Sequence, residues 1–158
     1  MIHSHKWNKW FLGMAEYVST ASKDPSTKVG AVIVDTDRTV VSMGYNGFPR
    51  GVEDSPERLN DRETKNLHVV HAERNALLFA HRPLKGCVLY TTPFMPCAAC
   101  AGMVIQAGIT EVVSYYVDNT RWKEQFITSS QMFKEAGVKI VLYETKDSNF
   151  YYTGYIKQ

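Results

Sequence analysis

The sequence predicts an α/β fold, a three-layer α/β/α sandwich around a five-stranded mixed sheet. Short apolar runs rich in β-branched residues alternate with longer segments whose apolar residues recur at helical spacing. The first two runs are close enough to form a hairpin, whereas the later ones are separated by helices, which implies parallel strands with helices on both sheet faces. With 158 residues, 44% of them apolar, the chain is expected to form a single domain over residues 1–158.

The first elements are a helix and a β-hairpin. Apolar side chains at helical spacing predict an amphipathic helix over residues 6–22, ended by the Asp-Pro-Ser turn at 24–26. Small and β-branched residues predict strands over 29–34 and 40–45, joined by the Asp-Thr-Asp turn at 35–37. This part of the chain therefore supplies two antiparallel strands.

A long polar segment over residues 46–67 follows the hairpin. It combines glycines and prolines with a charged run and has no apolar periodicity. Because a polar stretch of this length inside a compact domain is usually functional or mobile, we expect this segment to be one or the other.

The rest of the chain alternates helices and strands. Small or apolar residues on one face, followed by Gly or Pro, predict the helices, and short apolar runs predict the strands. In chain order these elements occupy residues 71–81, 87–91, 97–107, 111–117, 122–136 and 138–143. The tail at 146–158 is rich in aromatic residues, which could pack on the domain or on another subunit.

Composition and charge exclude several classes of function. The formal net charge of +2 is too small to indicate a nucleic-acid-binding surface, and no apolar run approaches the ~20 residues of a membrane helix. Lys9 and Glu16 interrupt the N-terminal apolar residues and no cleavage site follows, so we expect no signal peptide and a cytoplasmic location. In that reducing compartment the three cysteines are expected to be thiols or metal ligands rather than disulfides.

Two short motifs carry the chemistry, His-Ala-Glu at 71–73 and Pro-Cys-Ala-Ala-Cys at 96–100, and each begins a predicted helix. Cys97 and Cys100 are spaced i and i+3, so both sulfurs lie on one helical turn, and the positive helix N-terminus favours their thiolate forms. His71 supplies a third ligand from the other helix. Zn²⁺ with three protein ligands keeps a fourth position open for water, which is typical of a catalytic site.

Glu73 lies two residues after His71, beside the metal without having to bind it. A carboxylate there can take a proton from water and return it to a ring nitrogen and a leaving amine. H-x-E followed by P-C-x-x-C is the pattern of the zinc-dependent base deaminases. The alternative is a closed structural zinc site with Cys87 or His68 as fourth ligand, although a strand cysteine usually packs in the core and a loop histidine is usually solvated.

These motifs and their surroundings resemble the cytidine deaminase superfamily, and within it the deoxycytidylate (dCMP) deaminases. The segments that carry the resemblance are KDPSTKVGAVIV at 23–34, GYNGFPRG at 44–51, VVHAERNAL at 69–77, PCAAC at 96–100 and IQAGITEVV at 105–113. The resemblance implies a cytidine deaminase-like fold, one Zn²⁺ per chain on His71, Cys97 and Cys100, and Glu73 as proton shuttle. The implied reaction is hydrolytic attack on C4 of dCMP, which releases ammonia and yields dUMP for thymidylate synthesis.

The resemblance also implies contacts to the substrate's sugar and base. Asn46 corresponds to an asparagine that touches the sugar, and the backbone amide of Ala72 to the group that orients the pyrimidine carbonyl. Asn46 alternatively serves only as a turn residue that tolerates left-handed geometry.

A monophosphate needs a cation or a helix N-terminus to bind its phosphate. Tyr116 and Arg121 follow a predicted strand at the carboxyl edge of the sheet, where α/β proteins bind ligands. Lys28 and Arg50 are the alternatives for this role.

Many members of the family are hexamers that dCTP activates and dTTP inhibits, with Mg²⁺ on the triphosphate. The resemblance places this effector site around the glycine-rich run, bordered by Gly44, Tyr45, Asn46, Gly47 and Arg50. The alternative is that the run is only a strand end and a tight loop. The implied partners are thus nucleotides and further copies of the chain, with neither a membrane nor a nucleic acid. Some relatives hold a second zinc in the long loop, but residues 46–67 contain neither Cys nor His, so we expect none.

Three other functions are compatible with the zinc motif. A tRNA adenosine deaminase shares the fold and motif but has a shorter connection to its H-A-E and a more basic surface, whereas 24 residues separate Asn46 from His71 here. A free-base cytosine or guanine deaminase, or the deaminase domain of riboflavin synthesis, has no need of a phosphate-binding arginine. A non-catalytic, zinc-stabilised binding module has no use for Glu73.

Overall fold

A mixed β-sheet forms the centre of the computed structural model, which describes residues 1–118, 121–144 and 151–153. The strands are β1 (Gly30–Val34), β2 (Val40–Tyr45), β3 (Val88–Thr92), β4 (Glu111–Tyr115), β5 (Lys139–Tyr143) and β6 (Tyr151–Thr153). The helices are α1 (His5–Ser19), α2 (Pro56–Asn60), α3 (Arg62–His68), α4 (Ala72–Leu78), α5 (Ala98–Gln106) and α6 (Lys123–Glu135). No helix in these ranges has the length and apolar character needed to span a membrane.

The strands are ordered β2-β1-β3-β4-β5-β6. β1 is antiparallel to both β2 and β3, whereas β3, β4 and β5 are mutually parallel. The predicted hairpin, the parallel pairs and the mixed sheet of five strands are therefore confirmed. A sixth strand extends the sheet beyond the prediction, because β6 pairs antiparallel with β5, with Tyr152 opposite Leu142. It is a three-residue piece of the aromatic tail, and the remainder of the tail at 146–158 lies outside the described residues.

Helices cover both faces of the sheet, which confirms the three layers. One core lies between α1 and the sheet and is built from Phe11, Leu12, Ala15, Val18, Val32, Val34, Val88, Tyr90, Val113, Val141 and Tyr143. The other core lies between the sheet and α4, α5 and α6. Its buried residues include Ala72, Ala76, Ala101, Val104, Phe126, Phe133, Ile33, Leu89, Val112, Ile140 and Leu142.

The polar segment at 46–67 differs from the prediction, because it contains two short helices where we expected a loop. Ser55 begins α2 by accepting a hydrogen bond from the Arg58 amide at 3.4 Å, and Asp61 begins α3 by accepting one from the Thr64 amide at 2.8 Å. These helices bury almost no apolar surface, so their sequence lacks the periodicity that predicts a helix. An isolated bridge between Gly47 and Val70 closes the segment at its base.

Gly44 fixes how closely α4 approaches the sheet. It lies in β2, and a Cβ atom there would overlap the backbone of Ala72 and Ala76. Glycine thus lets the first turn of α4 rest directly on the hairpin. Since His71 and Glu73 flank Ala72, this contact sets the position of the first chemical motif.

Candidate active site

Three potential metal ligands converge where α4 and α5 begin. His71 immediately precedes α4, Cys97 immediately precedes α5, and Cys100 lies in the first turn of α5. Neither His71 nor Cys97 uses its side chain to cap its own helix. Their ligand atoms and that of Cys100 all lie within 4.8 Å of one another. The two predicted motifs, 26 residues apart in sequence at His71 and Cys97, therefore meet in one site.

The spacing of these three side chains fits a tetrahedral zinc ion. Nδ1 of His71 lies 3.6 Å from Sγ of Cys97 and 3.4 Å from Sγ of Cys100. Tetrahedral bonds of the lengths that zinc makes to sulfur and nitrogen would place those atoms about 3.5 Å apart. Both cysteines are buried and His71 is partly buried, which would shield an ion from exchange with bulk solvent. The donor set and its geometry are thus those of a zinc site.

No fourth protein ligand completes the group among residues 1–118, 121–144 and 151–153. Cys87, the first alternative, is buried in the core beside β3. His68, the second, stacks on Phe48 at 5.2 Å between ring centroids, and its Nδ1 bonds to the carbonyl of Thr64. Three ligands and one open position are what a catalytic zinc site requires.

Local hydrogen bonds prepare Cys97 to bind a cation. A hydrogen bond from Cys100, aided by one from His71, holds the pKa of Cys97 at about 4, well below its usual value, in spite of burial. The pKa of Cys100 is raised because its thiol donates to that thiolate and is buried. A metal ion held by these residues would replace the shared proton, so that both sulfurs could be thiolates.

Glu73 is a buried carboxylic acid at the wall of the same site. Its side chain is 3% exposed, and it lines a cavity together with His71 and Cys97. Burial raises the pKa of Glu73, and the charge of His71 opposes this only in part. A carboxyl group whose pKa is raised takes up a proton more readily than an ordinary carboxylate, which suits a role in proton transfer.

The cavity beside these residues has one aromatic wall and one polar wall. The aromatic wall is formed by Phe94, Trp122 and Phe126, whose ring centroids lie 5.4 to 6.4 Å apart. The polar wall is formed by Asp24, Ser26, Thr27, Asn46, Lys65 and Asn66. Such a pair of walls suits a ligand with a flat ring at one end and hydroxyl or charged groups at the other.

Asn46 lines this cavity and is held by the protein on both sides of its amide. Its Nδ2 donates to the carbonyl of Thr27 at 3.0 Å and to Asp24 at 3.4 Å, and its Oδ1 accepts from the amide of Val29 at 2.8 Å. The fully buried Ala72 lines the same cavity. The structure thus brings both predicted contact residues to the zinc ligands.

The candidate phosphate-binding residues differ in their position relative to the cavity, and only Arg121 of the three described below lines it. Arg121 lines the cavity, with its guanidinium 5.5 Å from the ring centre of Trp122. Tyr116 lies against a separate small pocket that also contains Met95. Lys28 is exposed and is not among the described residues that line the cavity.

Most of the predicted effector residues line a second, wider groove between β2 and the end of α4. Gly44, Tyr45, Gly47 and Arg50 all border it. The guanidinium of Arg50 packs 4.3 Å from the ring centre of Phe79, on the same groove. Asn46 instead faces the zinc cavity, so the glycine-rich run contributes to two different concave surfaces.

Several cavity residues were not predicted from the sequence. Asp24 was predicted only as part of a turn and Lys65 only as part of a charged run, whereas Phe94 and Trp122 carried no site signal. The Asp-Pro-Ser-Thr sequence could have indicated that the Asp24 side chain would bond the following amides. Nothing in the sequence around Lys65 indicates that its side chain turns inward.

Comparisons with known proteins agree with this geometry. The model of the cytidine and deoxycytidylate deaminase zinc-binding region matches residues 5–116. A protein of Aliivibrio fischeri described as an uncharacterized deaminase in the luxG 3′ region is 49% identical over 140 residues, covering 85% of this chain and 92% of the relative. The deoxycytidylate deaminase of Mus musculus is 40% identical over 139 residues, covering 84% and 77%, respectively.

A solved structure extends the likeness to three dimensions. The crystal structure of the dCMP deaminase from cyanophage S-TIM5 in complex with dCMP and dUMP has a TM-score of 0.69 to this chain at 26% identity, and the match covers 87% of this chain and 97% of that one. The matched family region contains both metal-binding motifs of the site described above. The chain therefore belongs to the cytidine and deoxycytidylate deaminase family of zinc-binding hydrolases.

Proposed function

We propose that this protein catalyses the hydrolytic deamination of dCMP to dUMP and ammonia, and so supplies dUMP for thymidylate synthesis. The observation that carries the proposal is that the group of three potential zinc ligands and the buried Glu73 lie beside one cavity, which is lined by polar and by aromatic side chains. The choice of dCMP as the substrate rests on the relatives named above, since they include enzymes that act on dCMP.

In this proposal His71, Cys97 and Cys100 hold the metal and Glu73 moves the protons. Zinc, when bound, lowers the pKa of a water molecule and so supplies a nucleophile at neutral pH. Glu73 takes the proton that the attacking water loses and passes it to N3 of the pyrimidine. It then takes the proton of the new C4 hydroxyl and delivers it to the amine, which leaves as ammonia while the C4 carbonyl forms. Its burial supports this role, because a raised pKa allows the carboxyl group to hold the proton between these steps.

The walls of the cavity suggest how the nucleotide lies. The aromatic wall offers rings on which the pyrimidine can pack, while Asn46 and the Ala72 amide are placed for the sugar and the base carbonyl. Arg121, at the same cavity, is our first candidate for the phosphate, supported by the bidentate geometry of guanidinium and phosphate groups. Tyr116 and Lys28 remain candidates only if they approach the cavity when the nucleotide binds.

Regulation and assembly are further parts of the proposal. The groove at Gly44, Tyr45, Gly47 and Arg50 is the proposed site for dCTP and dTTP, with Mg²⁺ on the triphosphate. We expect a homo-oligomer, a hexamer by resemblance to the family, made of single-domain subunits in the cytoplasm. A deamination rate that is unchanged by either triphosphate would contradict the regulatory part alone.

A substrate panel tests the proposed reaction. The purified protein would be incubated with dCMP, dCTP, cytidine and a tRNA anticodon stem-loop, each with and without added dCTP as effector, and ammonia release measured. We expect the highest kcat/KM with dCMP. Preferential release of ammonia from the stem-loop adenosine would instead assign the chain to the tRNA-editing branch of the fold.

A further inference from the structure

Lys65 is buried at the cavity although it belongs to a short, charged surface helix. It lies in α3 and is 8% exposed, and its Nζ is 3.1 Å from Asp24 Oδ1 and 3.1 Å from Ser26 Oγ. An ammonium group is costly to remove from water unless a partner compensates its charge. The pairing with Asp24 provides that compensation, so the two residues form one buried unit.

Asp24 is the centre of this unit. Its Oδ1 accepts hydrogen bonds from the amides of Ser26 and Thr27, at 2.8 and 3.1 Å, as well as from Lys65. Burial acts to raise the pKa of Asp24, but these hydrogen bonds and the charge of Lys65 outweigh it and hold the pKa below its ordinary value. The carboxylate is therefore ionised and fixes the turn that lines one side of the cavity.

Asn46 is held by the other oxygen of the same carboxylate. Nδ2 of Asn46 donates to Asp24 Oδ2 at 3.4 Å and to the carbonyl of Thr27, so both of its protons are engaged. With Oδ1 bonded to the Val29 amide, the orientation of the Asn46 side chain is set by the turn at 24–29. Lys65 and Asn46 are therefore connected through one residue, Asp24, which bonds to both of them.

We propose that Lys65 is a positioning residue of the substrate pocket, which acts through Asp24 to hold Asn46 and the turn at 24–29 in the arrangement that receives the sugar of the nucleotide. The inference rests on the proposed dCMP deaminase function. It gives the polar segment at 46–67 a role, because α3 carries the cation that holds the turn at 24–29 and Asn46 in the polar lining of the cavity.

The test compares Lys65→Met with a matched change at an exposed ion pair. Lys23 pairs with Asp54 at 2.8 Å in solvent and is not among the described residues that line the cavity, so Lys23→Met removes the same charge at an exposed position. For Lys65→Met we expect KM for dCMP and the Kd for dUMP, measured by calorimetry, to rise on the order of tenfold or more, with kcat nearly unchanged. Lys23→Met should leave all three constants as in the wild type.

A double-mutant cycle separates positioning from a general structural effect. Because Lys65 acts through Asn46, Lys65→Met should raise KM far less in an Asn46→Ala background than in the wild type. Lys65→Arg, which keeps the cation, should bring KM back toward the wild-type value. If Lys65→Met does not fold, the double variant Lys65→Met/Asp24→Asn replaces it, because it leaves no buried carboxylate without its cation. This folded double variant should still show the raised KM.

Each outcome decides the inference. The inference is overturned if a folded variant without the ammonium group keeps the wild-type KM and Kd. It is also overturned if kcat falls while KM stays constant, or if the effects of Lys65→Met and Asn46→Ala on KM are fully additive. Failure of the proposed function is distinguishable, because the wild-type protein itself would then neither deaminate dCMP nor bind dUMP. That result would mean that Asn46 has no nucleotide sugar to contact, so the proposed role of Lys65 would be overturned as well.

Discussion

At the scale of single residues, the proposed mechanism gives Glu73 and the three metal ligands separate roles. The ligands form one group within 4.8 Å, and Glu73 lies at the cavity wall without joining that group. A side chain that only moves protons should be removable without loss of the metal. This separation of roles gives the first prediction.

Glu73→Gln should retain zinc and lose turnover. The amide keeps the size of the side chain but cannot take up a proton, so kcat should fall by roughly 10²- to 10⁴-fold. Steady-state kinetics and elemental analysis of the same sample measure both properties. Glu135→Gln, on the exposed end of α6, serves as the control and should behave as the wild type. Near-normal turnover in Glu73→Gln would remove this residue from the mechanism.

Asp24 should make the folded protein lose stability as the pH becomes acidic. Because its pKa in the folded protein lies below the ordinary value of 3.8, its stabilising contribution is present above pH 3.8 and is lost as the pH falls through the folded-state pKa. Asp24→Asn should therefore be less stable than the wild type at neutral pH, and the difference should narrow below pH 3.8. Urea denaturation at several pH values measures it.

The control for Asp24 is Asp54→Asn, which breaks the exposed pair with Lys23. Solvent screens that pair, so its loss should change stability little at any pH. An equal pH dependence in the two variants would show that the buried position of Asp24 has no special effect.

The sequence identifies candidate site residues best where they are close together in the chain. His71 with Glu73, and Cys97 with Cys100, are each within one helical turn, so their proposed roles in zinc ligation and proton transfer can be inferred from local spacing. Lys65 and Asp24 are 41 residues apart and share no local pattern. Their pairing depends on how α3 folds back over the turn at 24–29, which residue types alone do not reveal.

At the scale of elements, the position of α4 on β2 determines where the H-A-E motif lies. Gly44→Ala should destabilise the protein by about 1–3 kcal/mol, because the added Cβ overlaps the backbone of Ala72 and Ala76 and pushes α4 away from the sheet. Denaturant titration measures this loss, and kcat should fall with it because Glu73 moves with the helix.

Gly13→Ala is the matched control for Gly44→Ala. Gly13 lies within α1, and apart from the neighbouring backbone of that helix a Cβ atom there would meet nothing within 4 Å. Alanine favours helix more than glycine, so this variant should be neutral or more stable by up to about 1 kcal/mol. Equal destabilisation by both substitutions would contradict the close packing of α4.

Elements with a buried apolar face were predicted from the sequence, and elements without one were not. In the strands and the longer helices, apolar residues recur with the period of the element because one side packs in a core. The helices α2 and α3 have only 5 and 7 residues and are held by the capping side chains of Ser55 and Asp61 rather than by an apolar stripe. The three-residue strand β6 is likewise too short to be distinguished from the aromatic tail around it.

At the scale of the whole molecule, a zinc ion held by the proposed ligands would link two helices that lie in different crossovers of the sheet. Its ligands come from the start of α4 and the start of α5, so binding should stabilise the folded chain as well as enable the reaction. Removing zinc with a chelator should lower the melting temperature by roughly 5–10 °C, and adding zinc should restore it. Elemental analysis should give one zinc per chain; two would contradict the single site.

The central claim is that this chain replaces the C4 amine of dCMP with oxygen from water. Incubating the zinc-loaded protein with dCMP in ¹⁸O-labelled water and analysing the nucleotide by mass spectrometry measures that exchange directly. We predict dUMP that carries one heavy oxygen in the base, formed together with an equal amount of ammonia. Unchanged dCMP, or dUMP without the label, would contradict the account.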